Sequence, residues 1–213
     1  MKFMKIVVMV FVFAFQNSLV ANAFVQTGHD RGERYEMEYP LIYTNNQGSQ
    51  DAINLDICEY ITNFQNDIST HPLRSGKISY ELKYEDHDLI SLILTSYYYN
   101  QGAAHGMHSQ LGLVYDKNTG AKIPLQNYLQ ITPEKLVQMI LNGKAEITKP
   151  QVKPSQLNFE HVKKVPESYF LSGNGSVSVI FGTYEVAPYV VGDVYVTIPQ
   201  AVIDQIRQEG IRN

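Results

Sequence analysis

The sequence predicts an α+β fold, a mainly antiparallel sheet built from hairpins with helices packed on one face. Strand-like segments follow one another through short polar turns, which is the order that hairpins require. The helical segments are few and do not alternate with the strands, whereas a parallel sheet needs a helical crossover after nearly every strand. The two observations together argue against a doubly wound α/β architecture.

The first 23 residues have the pattern of a signal peptide. Lys2 and Lys5 precede an apolar run over residues 6–15, and the small residues Ala21 and Ala23 mark a cleavage site after Ala23. The run is too short to cross a bilayer comfortably, so an uncleaved anchor is the weaker alternative. We therefore expect an extracytoplasmic protein, periplasmic or secreted, with no stable membrane insertion after cleavage.

The segment after the cleavage site is expected to be loose, and a single domain is expected beyond it. Residues 24–32 are short and polar, and the domain is predicted over residues 33–213. Alternation of apolar side chains predicts a strand at 33–44. Residues 51–69 have the apolar stripe of an amphipathic helix. Its members are Ile53, Ile57, Ile61, Phe64 and Ile68.

The middle of the chain predicts strands at 77–85, 89–100 and 109–116. The first of these alternates and shows one face to water, while the second is apolar on both faces and is expected to be central. The polar residues 86–88 turn the chain between them. The sequence YYYNQGAAHGMHS, residues 97–109, leads from the second strand into the third.

The rest of the chain continues the same pattern. Thr132 and Pro133 are the N-cap and first residue of a second helix, which ends at Asn142 and Gly143. A long connection follows, with one helical turn expected near residues 158–163. The last elements are three strands and a closing helix, predicted at 168–172, 176–181, 193–198 and 199–209.

Composition excludes some classes of function. The chain has 17 Lys and Arg against 21 Asp and Glu, and a net charge of −4 that falls to −6 when Lys2 and Lys5 are removed. An acidic chain without a basic cluster is not expected to bind nucleic acid. Cys58 is the single cysteine, so an intramolecular disulfide is impossible, and we expect its side chain to be buried on the first helix.

The two loop histidines, His105 and His108, do not amount to a metal site in the sequence. Zinc requires three or four converging ligands, and no HExxH, HxH or CxxC spacing accompanies the pair. No GxSxG motif occurs either. We therefore expect no catalytic residue, no metal and no cofactor. The loop is interpreted as a tight connection whose histidines bond local backbone groups, with His105 facing a binding cleft as the alternative.

The tyrosines are the other conspicuous group, 15 in a chain without tryptophan. Tyrosine suits strand packing and equally suits recognition, because it joins a large apolar face to a polar tip. In the bend at residues 181–192, Glu185 is interpreted as an acceptor for neighbouring backbone amides, with a ligand contact as the alternative. The candidate ligand-binding residues are His105, His108, Tyr99, Tyr184, Glu185 and Tyr189.

Three motifs resemble a bacterial extracytoplasmic domain family of unknown molecular function. Its members occur in the outer region of the anti-sigma factor RsiV and beside the catalytic domain of the peptidoglycan deacetylase PdaC. The resemblance spans residues 33–207, and its departures are an extra alanine in the loop and Asn127-Tyr128 in place of an acidic ending. The matching segments are Gly102 to Gly106, Thr119 to Leu129, and Tyr184 to Tyr189 with Gly192 and Ile198-Pro199.

The resemblance implies an α+β module outside the cytoplasmic membrane. RsiV-like proteins sense lysozyme by binding it, and in PdaC-like proteins the chemistry belongs to a separate domain. We therefore expect an exported, non-catalytic binding or sensing module for a lysozyme-like hydrolase or for peptidoglycan. The alternatives are a small, metal-assisted envelope hydrolase using His105, His108 and Glu185, and a structural periplasmic protein.

Overall fold

The computed structural model describes residues 24–148 and 152–211. Over these residues the chain forms two sheets and three α-helices, so the α+β fold is confirmed. The predicted signal peptide, residues 1–23, lies outside the described residues. None of the described helices combines the length and the apolar character needed to span a membrane. That residues 33–213 form a single domain stays a prediction.

The first sheet has the strand order β1-β2-β3-β4-β5. Every neighbouring pair is antiparallel except β2 and β3, which are parallel because helix α1 crosses between them. The elements are β1 (Phe24–Arg31), β2 (Tyr35–Tyr43), α1 (Gln47–Thr70), β3 (Arg74–Glu85), β4 (Leu89–Asn100) and β5 (Met107–Asp116).

The expectation of a loose segment at residues 24–32 was wrong. Residues 24–31 form strand β1, which pairs with β2 along its whole length. An edge strand is held by backbone hydrogen bonds to one neighbour and needs little apolar burial. Polar side chains were therefore no argument against a strand.

Helix α1 covers one face of the first sheet, which we call the α1 face. The side chain of Asn46 caps the helix by accepting from the backbone amide of Gly48 at 2.9 Å. The predicted stripe is buried against the sheet. Its partners on the strands are Met37, Ile42, Ile78, Ile90, Leu92, Leu94, Leu113 and Tyr115. Cys58 is on α1 as expected but is exposed, because it lies beside the stripe.

The second sheet has the antiparallel order β6-β9-β8-β7. Helices α2 and α3 pack on one of its faces through Leu136, Ile140 and Ile203. The elements are α2 (Pro133–Leu141), β6 (Glu146–Ile147), β7 (Tyr169–Leu171), β8 (Val177–Phe181), β9 (Val194–Ile198) and α3 (Gln200–Ile211). In the long connection, the short helix is at Pro154–Gln156. Within the predicted residues 158–163 there is a single hydrogen-bonded turn, in which the amide of Val162 donates to the carbonyl of Phe159 at 3.1 Å.

The two sheets meet where β7 lies against the face of the first sheet opposite α1. We call this the cleft face. The amide of Gly112 on β5 donates to the hydroxyl of Ser168 at 2.8 Å, and the amide of Leu171 donates to the hydroxyl of Ser91 at 2.9 Å. A Cβ at Gly112 would lie 2.0 Å from the carbonyl oxygen of Tyr169, so glycine permits this approach.

Candidate functional site

The connection between β4 and β5 is folded against the bend at residues 182–193. The hydroxyl of Tyr189 donates to the carbonyl of Gly106 at 2.7 Å, and Nδ1 of His105 lies 2.9 Å from the same oxygen. The Tyr97 ring occupies the space where Gly106 would carry a Cβ. A histidine that bonds local backbone is what the sequence led us to expect.

Tyr189 is the centre of an aromatic group. The His105 ring stacks on it with centroids 4.0 Å apart and planes at 27°. Tyr184 and His108 lie further out, at 5.8 and 6.2 Å from the same ring. The structure thus brings together four of the six candidate residues, and we call His105, His108, Tyr184 and Tyr189 the Tyr189 cluster.

Tyr184 adopts a strained backbone conformation. Its φ is +71°, in the left-handed region that costs a residue other than glycine about 1–2 kcal/mol. Its side chain is 56% exposed, so apolar burial does not offset this cost. Strain of this kind is concentrated at functional sites, where it holds a side chain in a required position.

The other two candidates make their contacts outside the cluster. Oε2 of Glu185 accepts from the amide of Gly182 at 2.8 Å, which is the structural role favoured from the sequence. The hydroxyl of Tyr99 donates to the carbonyl of Ala103 at 3.4 Å, a long and weak bond. Glu185 therefore stabilises the turn that presents Tyr184.

A buried group that the sequence did not reveal lies next to the cluster. Asp193 is 4% exposed, and its Oδ1 accepts from the hydroxyl of Thr183 at 3.0 Å. Nε2 of His108 lies 3.1 Å from Oδ2 and 3.2 Å from the Thr183 hydroxyl oxygen. Because the threonine proton is donated to Asp193, Nε2 carries the proton that it shares with Thr183.

This arrangement fixes the His108 ring but does not activate a nucleophile. In a hydroxyl–imidazole–carboxylate relay, the hydroxyl and the carboxylate contact opposite nitrogens of the ring. Here Thr183 and Asp193 both approach Nε2. Within residues 24–148 and 152–211, no three His, Cys, Asp or Glu side chains are placed to hold a metal ion.

Five large apolar side chains close to the Tyr189 cluster in the chain are exposed, and one of them, Tyr184, belongs to the cluster. They lie on the two segments, 97–107 and 184–190, that the bond between Tyr189 and Gly106 holds together. Val190 is the extreme case at 90% exposure. We call this set the rim, and its members are Tyr97, Tyr99, Met107, Tyr184 and Val190.

A cleft of about 630 Å³ begins at His108 and runs between the cleft face of the first sheet and the second sheet. Its walls combine polar side chains with the ring of Phe170 and with Tyr195, the one aromatic residue there that carries a hydroxyl. Burial raises the pKa of Tyr195, so this hydroxyl stays neutral, and it donates to Oε1 of Gln110 at 2.5 Å. The principal side chains are Lys83, His108, Gln110, Asp193, Tyr195 and Thr197.

Comparison with known proteins gives a match of one segment to a family model and a similarity of fold. Residues 117–201 match the model of DUF3298, described as a protein of unknown function. The structure is similar to a DUF3298 member from Bacteroides fragilis, with a TM-score of 0.60 and 12% identity over 85% of this chain and 91% of that one. It is also similar to a DUF3298 family protein from Pseudomonas aeruginosa PAO1, with a TM-score of 0.54 and 16% identity over 85% of this chain and 92% of that one.

At these identities the two structures establish the fold alone, and no curated protein matches the chain. The matched segment contains α2, the second sheet and the bend that carries Tyr184, Tyr189 and Asp193. The RsiV and PdaC context stays an expectation. Through residues 117–201 the chain is similar to the DUF3298 family model, and beyond that segment the likeness is one of fold.

Proposed function

We propose that this protein is an exported, non-catalytic recognition module that binds a secreted protein through the rim. The rim carries the proposal: large apolar side chains stay exposed on the two segments that the His105–Tyr189 stack and the Tyr189–Gly106 hydrogen bond hold together. Tyrosine and methionine are enriched at the cores of protein interfaces, and exposed apolar groups of this kind mark binding surfaces.

The backbone beneath the rim is held before any partner arrives. The Tyr189 hydroxyl ties the bend to the β4–β5 loop, and Glu185 closes the turn below Tyr184. A surface ordered in advance loses less conformational entropy on binding, so more of its contact energy becomes affinity. This order supports recognition by the rim.

Charge indicates the chemistry of the partner. The chain carries a net charge of −4, or −6 without Lys2 and Lys5, and complementary charge speeds the encounter of two proteins. A basic secreted protein is therefore the preferred partner. The resemblance to RsiV-like proteins points to a lysozyme-like hydrolase, which the signal-peptide pattern of residues 1–23 would allow the chain to meet outside the cytoplasm.

The proposal is tested by measuring the binding of the purified chain to a basic muramidase with surface plasmon resonance. We expect a Kd in the micromolar range or tighter, and Val190→Asp should weaken it about tenfold, or ~1.4 kcal/mol. Leu55→Asp is the matched control, because Leu55 is also exposed, at 73%, but lies on α1.

Two results contradict the proposal. Absence of binding to muramidases at high micromolar concentration would show that a lysozyme-like hydrolase is not the partner. Equal weakening by the substitutions at positions 190 and 55 shows that the attraction is not made by the rim.

A further inference from the structure

Four hydroxyl groups form a hydrogen-bonded row across the cleft side of the second sheet. The hydroxyl oxygens of Ser172 and Ser178 are 2.5 Å apart. Those of Ser178 and Thr197 are 2.8 Å apart, and those of Thr197 and Thr148 are 3.0 Å apart. The four residues belong to, or directly follow, β7, β8, β9 and β6 in turn, so each strand contributes one group. All four line the cleft.

Such a row adapts to its ligand. Each hydroxyl is both a donor and an acceptor, and its proton can turn toward either neighbour. A ligand with several hydroxyls can therefore join the row by reorienting protons, without leaving a buried polar group unpaired. An apolar ligand would leave these groups without solvent and without replacement bonds.

The opposite wall of the cleft comes from the first sheet. It contributes the side-chain amide of Gln110 and the ammonium of Lys83, whose charge is paired with Glu81. The Gln110 side chain faces the Tyr195 hydroxyl, and Nζ of Lys83 pairs with Oε1 of Glu81 at 2.8 Å. The same ammonium lies 4.8 Å from the ring centroid of Phe170. The lysine is thus engaged on two sides and gives this wall little excess charge for an anion.

Asp193 leaves an acceptor unused at the end of the cleft. Its side chain is 96% buried, yet Oδ2 has no hydrogen bond from any residue that the structure describes. His108 Nε2 is only 3.1 Å away, but the contact lacks the alignment of a hydrogen bond. A buried acceptor of this kind favours a ligand that brings a donor. An anionic ligand would instead meet the carboxylate.

We infer that the cleft binds an uncharged saccharide. The row of hydroxyls, the Gln110 amide and the unused Asp193 oxygen suit a ligand rich in hydroxyl groups, and the pairing of Lys83 with Glu81 suits a neutral one. The rings of Phe170 and Tyr195, which pack edge to face with centroids 5.2 Å apart, form the apolar part of the wall against which the C–H groups of a sugar can lie. The volume of 630 Å³ lies in the range of small-molecule sites, about 300–1,000 Å³.

This site is separate from the protein-binding rim. His108 borders both, through its contact with Asp193 and its position 6.2 Å from Tyr189. The hydroxyl row lies on the second sheet and contains no rim residue. The saccharide site can therefore be tested without disturbing the proposed protein contact.

The experiment titrates the full purified chain with an N-acetylglucosamine tetramer and, separately, with cellotetraose, using calorimetry. We expect at least one to bind with a Kd of about 1 mM or tighter. Thr197→Val preserves the shape of the side chain and removes one of the two inner hydroxyls of the row, so affinity should fall about tenfold. Thr62→Val, on the exposed side of α1, is the matched control and should leave affinity unchanged.

A second variant covers the case in which Thr197→Val does not fold. Ser172→Ala removes one exposed end of the row and is expected to weaken binding about threefold while the thermal transition stays in place. Absence of binding by both tetramers at about 10 mM overturns the inference. So does unchanged affinity in the row variants, or preferential binding of a phosphorylated sugar.

Discussion

The two faces of the first sheet are made by the same strands and differ in what they contact. On the α1 face, Ile78, Leu92 and Leu113 are at most 1% exposed and pack against the helix. On the cleft face, Lys83, His108 and Gln110 line an open space. The α1 face therefore contributes to stability through apolar packing along its length. On the cleft face only the part around Ser91, Ile93 and Gly112 is covered, by β7, and the polar residues beyond it are available for recognition.

Buried polar groups show the same contrast. On the α1 face the Tyr115 hydroxyl donates to Oδ2 of Asp56 at 2.6 Å, and Lys122 lies 3.6 Å from that oxygen. Burial, and then the bond to Asp56, raises the pKa of Tyr115 far above its ordinary value, so it is a permanent neutral donor. On the cleft side, Oδ2 of Asp193 has no such donor among the described residues.

The contrast is tested most strongly by truncating one side chain on each face of β4. Leu92→Ala leaves a cavity beneath α1 and should lower the free energy of unfolding by about 2–5 kcal/mol. Thr95→Ala, on the cleft face of the same strand, loses only a long 3.4 Å bond with Gln110 and should cost about 0.5 kcal/mol. Urea denaturation measures the free energy of unfolding of both variants. Similar losses in the two would show that both faces contribute equally to stability.

The contact between the sheets gives a second test. Gly112→Ala places a methyl group against the backbone of Tyr169 and should cost about 1–3 kcal/mol, with loss of saccharide binding as β7 moves away from the cleft face. Gly48→Ala is the control, since in the first turn of α1 its nearest neighbour is at 3.4 Å. That change should be neutral or stabilise by about 0.4–1 kcal/mol. A stable Gly112→Ala protein would mean that β7 is not held where the structure places it.

The sequence was sufficient for the elements whose signal is local. The helix predicted at 51–69 is α1, Gln47–Thr70, and the strand predicted at 89–100 is β4, Leu89–Asn100. Periods of 3.6 and 2 residues are visible within one segment. The existence of a second sheet was not predicted. The position of β7 depends on its contacts with Gly112 and Ser91, which are far away in the chain.

The residues of the candidate site also differ in whether a local sequence signal identifies them. His105, Tyr184 and Tyr189 stand out by residue type and were found from the sequence. Thr183 and Asp193 were missed, because a threonine and an aspartate near a bend are ordinary in a sequence, and only burial distinguishes Asp193. The hydroxyl row joins four separate segments of the chain, so no local sequence pattern predicts it.

The smallest expected effect concerns the β3–β4 turn, which belongs to neither face. Oδ1 of Asp86 accepts from the amides of Asp88 at 2.9 Å and Leu89 at 2.7 Å, and Oδ2 accepts from the hydroxyl of Tyr84 at 2.7 Å. Burial acts to raise the pKa of Asp86, but these bonds outweigh it and hold the pKa below the ordinary value of 3.8.

A lowered pKa in the folded state gives stability that is present above pH 3.8 and is lost as pH falls through the lower, folded value. Asp86→Asn should therefore be slightly less stable than the parent chain at neutral pH, with the difference shrinking below about pH 4. Tyr84→Phe removes one of the three bonds and should give part of this effect. Thermal denaturation from pH 7 to acid measures both, and a difference that grows on acidification would show that the carboxylate does not stabilise the turn.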